Sequence, residues 1–207
     1  MNQTINRAVS ILTDGGVVAY PTDTVYGLGA DAFNQEAVNL IYRIKHRPAH
    51  QPLSVLVADP GDITVLTGSL PDSAKLLIAR FWPGGLTLVV KKTSRVPEWV
   101  TAGGDTVAIR MPDHPITLEL VRKLGKPLIG TSANLSGSPS PKTAAEVRMQ
   151  LGSAVDLVLD GGTCPGGVES TVVDVSGKFP VIHRAGIIPR EAIESVIGVL
   201  PAEEKTR

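Results

Sequence analysis

The chain alternates short apolar runs with longer stretches in which apolar residues recur every three or four positions. The runs at 16–21 (GVVAYP), 53–58 (LSVLVA), 86–92 (LTLVVKK), 107–112 (VAIRMP) and 127–133 (PLIGTSA) read as strands, as do 156–160 (DLVLD), 170–175 (STVVDV) and 181–184 (VIHR). Residues 35–44 place Val38, Ile41 and Ile44 on one helical face, with Asn34 as N-cap and Pro48 as the stop. Further helices are predicted at 73–81, 116–124, 144–151 and 189–197, the last with Pro189 in its first turn, and a shorter one at 5–12. This alternation predicts a layered α/β domain. Consecutive strands without helices, in 86–111 and 170–184, require some antiparallel pairing, so the expected sheet is mixed. There are no repeats and no low-complexity linker. One domain over 1–200 with a frayed tail at 201–207 is expected.

Composition narrows the partners. With 207 residues and 43% hydrophobic content, the chain can build a full core. Lys+Arg and Asp+Glu are both 20, so no global basic field exists and any anion site must be local. The single cysteine, Cys164, excludes an internal disulfide framework and fits a reducing compartment; it reads as a small loop residue. The N-terminal stretch lacks the apolar core of a signal peptide, and no stretch approaches the roughly 20 apolar residues of a membrane span. A soluble, cytoplasmic protein without membrane contact is expected.

Candidate chemistry is uneven. Gly27-x-Gly29-x-x-Ala32 superficially fits a dinucleotide fingerprint, but PTDTVY intervenes after the strand and no acid ends a second strand about 20 residues on. No phosphate-loop or HExxH motif occurs. His46, His50, His114 and His183 lack metal-ligand spacing and read as loop or surface residues, so no metal ligand set is assigned. The loops 130–143 (GTSANLSGSPSPKT) and 161–171 (GGTCPGGVEST) border apolar strands and consist of small and hydroxylic residues suited to anions. Arg110 and Arg184 end apolar strand runs, where a guanidinium needs an anionic partner, either a ligand or one of the chain's own acids. KHRPAHQPL (45–53) adds Lys45 and Arg47 at a helix exit. Four cations with hydroxyl-rich loops point to a phosphorylated ligand.

In order, YPTDTVYGLGADA, KHRPAHQPL, FWPGGLTLVV, TVAIRMPDHP, GTSANLSGSPSP and GGVESTVVD…VIHRAG together resemble the threonylcarbamoyl-AMP synthase family, the YrdC-like proteins, over roughly residues 5–197. The resemblance implies a single YrdC-like domain in which a twisted mixed sheet and flanking helices surround a concave cavity. It implies an enzyme joining L-threonine, bicarbonate and ATP, with Mg²⁺, into threonylcarbamoyl-AMP and pyrophosphate. The product would serve a downstream tRNA threonylcarbamoyl transferase machinery. By the same resemblance the threonine pocket includes Thr24, Arg110, Ser132 and Ser170. The nucleotide side includes Lys45, Arg47, Gln51, Thr106, Asn134, Lys142 and Arg184, with Lys45 and Arg47 as the catalytic cations. Three positions depart from well-studied members: Leu56 replaces a threonine-contacting His, Gln51 a common Asn, and Lys142 a frequent hydroxyl residue. The further C-terminal domain of longer members is expected to be absent. Beside weak RNA binding by the enzyme itself, two alternatives remain at the level of sequence: an RNA-binding module that uses the same basic concavity on structured RNA, disfavoured by zero net charge and 4% aromatic content, and a paralogue acting on another carbamoyl or acyl substrate.

Overall fold

A computed structural model describes residues 2–200, so the predicted tail at 201–207 lies outside the described residues. The first half runs α1 (Asn2–Thr13), β1 (Val18–Tyr20), β2 (Gly27–Gly29), α2 (Gln35–Lys45), β3 (Ser54–Leu56), α3 (Ile63–Leu66), α4 (Asp72–Phe81) and β4 (Leu86–Lys91). Then follow α5 (Glu98–Thr101), β5 (Thr106–Arg110), α6 (Pro115–Leu124), β6 (Leu128–Ile129), β7 (Thr131–Ser132) and α7 (Ala144–Leu151). The chain continues through β8 (Leu157–Val158), β9 (Thr171–Asp174), β10 (Val181–Arg184) and α8 (Arg190–Ile197).

The strands form two mixed sheets rather than the single one expected. One has the order β10-β9-β4-β5-β3-β6 and the other β7-β2-β1-β8. Antiparallel pairs (β4–β5, β9–β10) alternate with parallel ones (β3–β5, β4–β9). The partition arises at Gly130. The apolar run 127–133 splits there into β6, which pairs with β3, and β7, which pairs with β2. A Cβ on Gly130 would come within 2.7 Å of the Leu56 side chain, so the chain crosses between sheets where it has no side chain.

β2 went unread in the sequence because GLG has little strand propensity. It forms because the Tyr20 ring lies over it. Tyr20 pairs with Gly27, and a Cβ on Gly27 or Gly29 would sit 2.4 or 2.7 Å from that ring. The Tyr20 hydroxyl, fully buried, donates to the Ile129 carbonyl at 2.8 Å and ties β1 to the six-stranded sheet.

α2 begins as expected, with Asn34 Oδ1 accepting from the Ala37 N–H. It ends before Pro48. His46 adopts a left-handed conformation (φ 51°), and the N–H groups of His46 and Arg47 return to the carbonyls of Arg43 and Tyr42. Likewise Pro189 is the N-cap of α8 rather than a first-turn residue.

Two apolar clusters fill the interior. The larger joins the inner strands of both sheets to α2, α4, α7 and α8; the smaller packs Ile5, Ala8 and Leu12 of α1 against Leu120, Val121 and Leu124 of α6. Among the described residues, no helix is long and apolar enough to cross a membrane.

Candidate functional site

Strand periodicity builds one wall. Successive side chains on a strand face opposite sides, so Ser54 and Leu56, Thr87 and Val89, and Ala108 and Arg110 share a face. The register aligns Leu56, Arg110, Thr87 and Val172 in one transverse row and Ser54, Ala108 and Val89 in the next. With Tyr20, Gly27, Thr131 and Ser132 from the four-stranded sheet and Tyr26 just before β2, these residues line a cavity of about 680 Å³, within the range of small-molecule sites.

All four cations singled out in the sequence reach this cavity. Arg110, at the end of β5, is 7% exposed. Its Nη2 pairs with Asp23 Oδ1 at 2.6 Å, Nη1 donates to Thr24 Oγ1 at 2.9 Å, and Nε donates to the Gly84 carbonyl at 2.9 Å. A guanidinium carries five donors, so two N–H groups remain for a ligand. Burial lowers the Arg110 pKa and Asp23 opposes that shift.

Arg184 differs from its expected interior setting. β10 is the sheet edge, so Arg184 is exposed. It bridges the Ser170 carbonyl and hydroxyl at 2.9 and 3.0 Å, and its Nη1 pairs with Glu169 Oε2 at 2.9 Å.

Lys45, the last residue of α2, is 2% exposed. Its ammonium donates to the carbonyls of Ser132 and Asn134, the latter at 2.7 Å, and to Asn134 Oδ1 at 3.2 Å. Burial, and then Arg47, lower its pKa from 10.5 to about 8, while Glu169 acts the other way. The three oxygens favour the protonated form at neutral pH. Arg47 donates to the Pro52 carbonyl at 3.0 Å. Among the described residues no acid lies within ion-pair distance of Lys45 or Arg47. Two of the four cations are therefore compensated by the chain's own acids and two are not.

Thr24, Gln51, Ser132, Asn134 and Ser170 also lie on the wall. Hydroxyls couple across it: Thr22 and Thr24 are 2.9 Å apart, Thr87 and Ser170 2.8 Å. Thr106 and Lys142 do not join them. Thr106 shares the face of Ala108 and Arg110 but opens β5, four residues (about 13 Å) from Arg110. Lys142 lies near the end of the loop between β7 and α7, where its ammonium would be 3.0 Å from a Cβ on Gly167.

The family model described as "Telomere recombination", named for Sua5, YciO and YrdC, matches residues 10–186. The chain belongs to the Sua5/YciO/YrdC family. Within this family it is 48% identical, over 97% of its length, to the threonylcarbamoyl-AMP synthase of Bacillus subtilis, covering 58% of that protein. It is 45% identical, over 94% of its length, to that of Pyrococcus abyssi, covering 57%. The chain thus spans a little over half of these relatives. The crystal structure of P. abyssi Sua5 complexed with L-threonine superposes with a TM-score of 0.92 at 44% identity, over 95% of this chain and 57% of that one. E. coli YciO gives 0.84 at 30%, covering 93% of this chain and 94% of that one.

Sequence reasoning on this Sua5/YciO/YrdC domain missed the acids. Asp23 stood inside PTDTVYG and Glu169 inside GGVEST, but their partners lie 87 and 15 residues away, and nothing local marks the pairing. Thr22, with Thr24 part of the hydroxyl run in PTDTVYG that a strand end can turn to a ligand crevice, does line the cavity. Ser54 and Thr87 were missed, and their signal was a polar residue at an inward-facing strand position. At the Leu56 departure the family domain presents an apolar wall beside Arg110. Among the described residues no cluster of three His, Cys, Asp or Glu could hold a metal.

Proposed function

We propose that this domain carries threonylcarbamoyl-AMP synthase activity, a nucleotidyl transfer from ATP to the carbamate of L-threonine, in the cytoplasm. The observation carrying this reading is the convergence of Lys45, Arg47, Arg110 and Arg184 on one hydroxyl-lined cavity, in a chain similar throughout to proteins of that name.

In this reading the two remaining donors of Arg110 hold the threonine carboxylate, with Thr24, Ser132 and Ser170 around it. The freed amine adds to CO₂ derived from bicarbonate and loses a proton, giving a carbamate. A carbamate oxygen attacks the α-phosphorus of ATP, the bond to the β-phosphate oxygen breaks, and pyrophosphate departs. Lys45, Arg47 and Arg184, with Gln51 and Asn134, sit where charge builds on the phosphoryl oxygens. No side-chain nucleophile is needed, since holding both substrates supplies much of the acceleration. Thr106 and Lys142 would contact the nucleotide only where it extends beyond the cavity wall.

Among the described residues, one carboxylate on the wall and no ligand cluster fit a Mg²⁺ that arrives on the phosphates and keeps several waters. Bound there, Mg²⁺ supplies positive charge to the triphosphate. The product, a mixed carbamic–phosphoric anhydride, would be consumed by a transferase acting on tRNA. The names of the relatives give no support to a stand-alone RNA-binding role.

The purified protein with Mg²⁺ should release pyrophosphate from ATP only when threonine and bicarbonate are both present. Release that ignores threonine, or none while the B. subtilis enzyme is active alongside, would overturn the proposal.

A further inference from the structure

Glu169 poses an electrostatic problem. Among the described residues it is the one acid on a wall that carries four cations, and a wall meant for polyphosphate should exclude a carboxylate. Yet it is built in firmly. Oε2 pairs with Arg184 at 2.9 Å, Oε1 accepts from the Ser140 hydroxyl at 2.6 Å, and its backbone carbonyl accepts from the Ile187 N–H. Its field also reaches Lys45 and Arg47, whose pKa values burial lowers, and partly opposes that lowering.

The charges around the cavity then balance in a specific way. Arg110 is compensated by Asp23 and Arg184 by Glu169, which leaves Lys45 and Arg47 as two uncompensated cations. A neutral Arg110–Asp23 pair suits a zwitterionic amino acid, whose net charge is zero. Two free cations suit a dianion. Mg·ATP is a dianion near neutral pH, whereas free ATP is a tetra-anion.

We propose that Glu169 is a specificity-determining residue that sets the cavity's net charge so that it selects the metal-bound nucleotide over the free one. This rests on the nucleotide-binding reading above. Glu169 acts through space on the whole triphosphate: its charge opposes a tetra-anion twice as strongly as a dianion at the same distance, and with only two cations left uncompensated a tetra-anion would be taken out of water with two charges unpaired. It is not a nucleophile and moves no proton.

Binding alone tests this. The affinity for ATP is measured by calorimetry at pH 7.5, with excess Mg²⁺ and with EDTA, for the wild type and for Glu169→Gln. Glutamine keeps the length: its amide oxygen can accept from Arg184 while its NH₂ donates to the Ser140 hydroxyl oxygen. The wild type should bind Mg·ATP more tightly than free ATP, and Glu169→Gln should narrow that ratio about tenfold, mainly by tightening free ATP. Glu169→Asp, which keeps the charge, should keep the wild-type ratio, and unchanged melting curves would show that both variants are folded. If Glu169→Gln weakens both forms equally, the residue only positions Arg184 and the inference is wrong. Loss of Mg·ATP affinity with free ATP unchanged makes Glu169 a metal ligand instead, and also overturns it. Failure of the wild type to bind either form removes the nucleotide site itself, and with it this inference. A variant that cannot be folded leaves the decision to a Ser140→Ala, Glu169→Asp pair, in which a shifted carboxylate must still preserve the ratio.

Discussion

At Arg110 one side chain must satisfy two demands. Unfilled, a buried guanidinium needs a counter-charge; filled, it must still offer donors to a ligand. Asp23 resolves this by taking one edge of the fork and leaving another toward the cavity. Arg110→Gln should therefore damage two separable properties. It strands Asp23, whose side chain is 17% exposed, and breaking such a pair costs about 3–5 kcal/mol of stability. It also removes the proposed carboxylate clamp. Adding Asp23→Asn should return at least half of the lost stability, read by urea denaturation, while threonine binding by calorimetry stays lost. If the double variant regains threonine affinity, Arg110 is a structural residue only. Leu56, next to it in the row, predicts a complementary outcome. Leu56→His puts a polar ring on an apolar wall against Gly130 and should cost about 1–3 kcal/mol of stability; an undiminished melting temperature would mean that this wall is not packed as described.

At the scale of elements, the end of α2 is the pivot. Its last residue, Lys45, reaches the end of β7 and the loop after it with its three donors, and the Lys45 carbonyl accepts from the Ser136 N–H at 2.9 Å. The positive helix exit thus fastens a loop as well as facing the cavity, and cations there also complement the helix dipole. Lys45→Met should speed amide hydrogen exchange in residues 131–138 while leaving the first turns of α2 protected; uniform change across both would contradict a local clip. The pH dependence has a definite sign. The folded pKa is depressed to about 8 from 10.5, so between these values the unfolded chain holds a proton that the folded chain has released. Stability of the ligand-free protein should rise with pH through that window, by up to roughly 3 kcal/mol, and the rise should be missing in Lys45→Met. Most of these elements were legible in the sequence, because β4, β5 and β9 are apolar runs and α2 carries its cap and its stripe. β2 and the break at Gly130 were not, since both depend on what an absent side chain makes room for. Cations were legible for the same reason that their acids were not. An arginine ending an apolar strand is odd on its own, whereas Asp23 and Glu169 acquire meaning only from partners that the fold brings near.

The whole molecule keeps its 20 basic and 20 acidic residues in balance, yet it turns two cations without an acidic partner, Lys45 and Arg47, into one hollow walled by both sheets. Ligands that bridge those walls should act as staples on the fold. A ligand at 100 times its dissociation constant stabilises by about 2.7 kcal/mol, which for a domain of this size raises the melting temperature by roughly 5–10 °C. Threonine and Mg·ATP should each produce such a shift in thermal scans. Variants should separate them, because the walls are chemically distinct. Arg47→Ala removes a cation that compensates no acid, so it should abolish the nucleotide shift, spare the threonine shift and leave the ligand-free melting temperature within about 2 °C. Arg110→Gln combined with Asp23→Asn should do the reverse. A distant exposed pair, Lys91 with Asp105 at 2.5 Å, provides the control; its removal should move neither shift, since surface ion pairs contribute little and this one lies off the cavity wall. If Arg47→Ala and the Arg110–Asp23 double variant reduce both shifts in proportion, the two ligands do not occupy separate parts of the hollow. The assignment of an amino-acid side and a nucleotide side would then have to be given up.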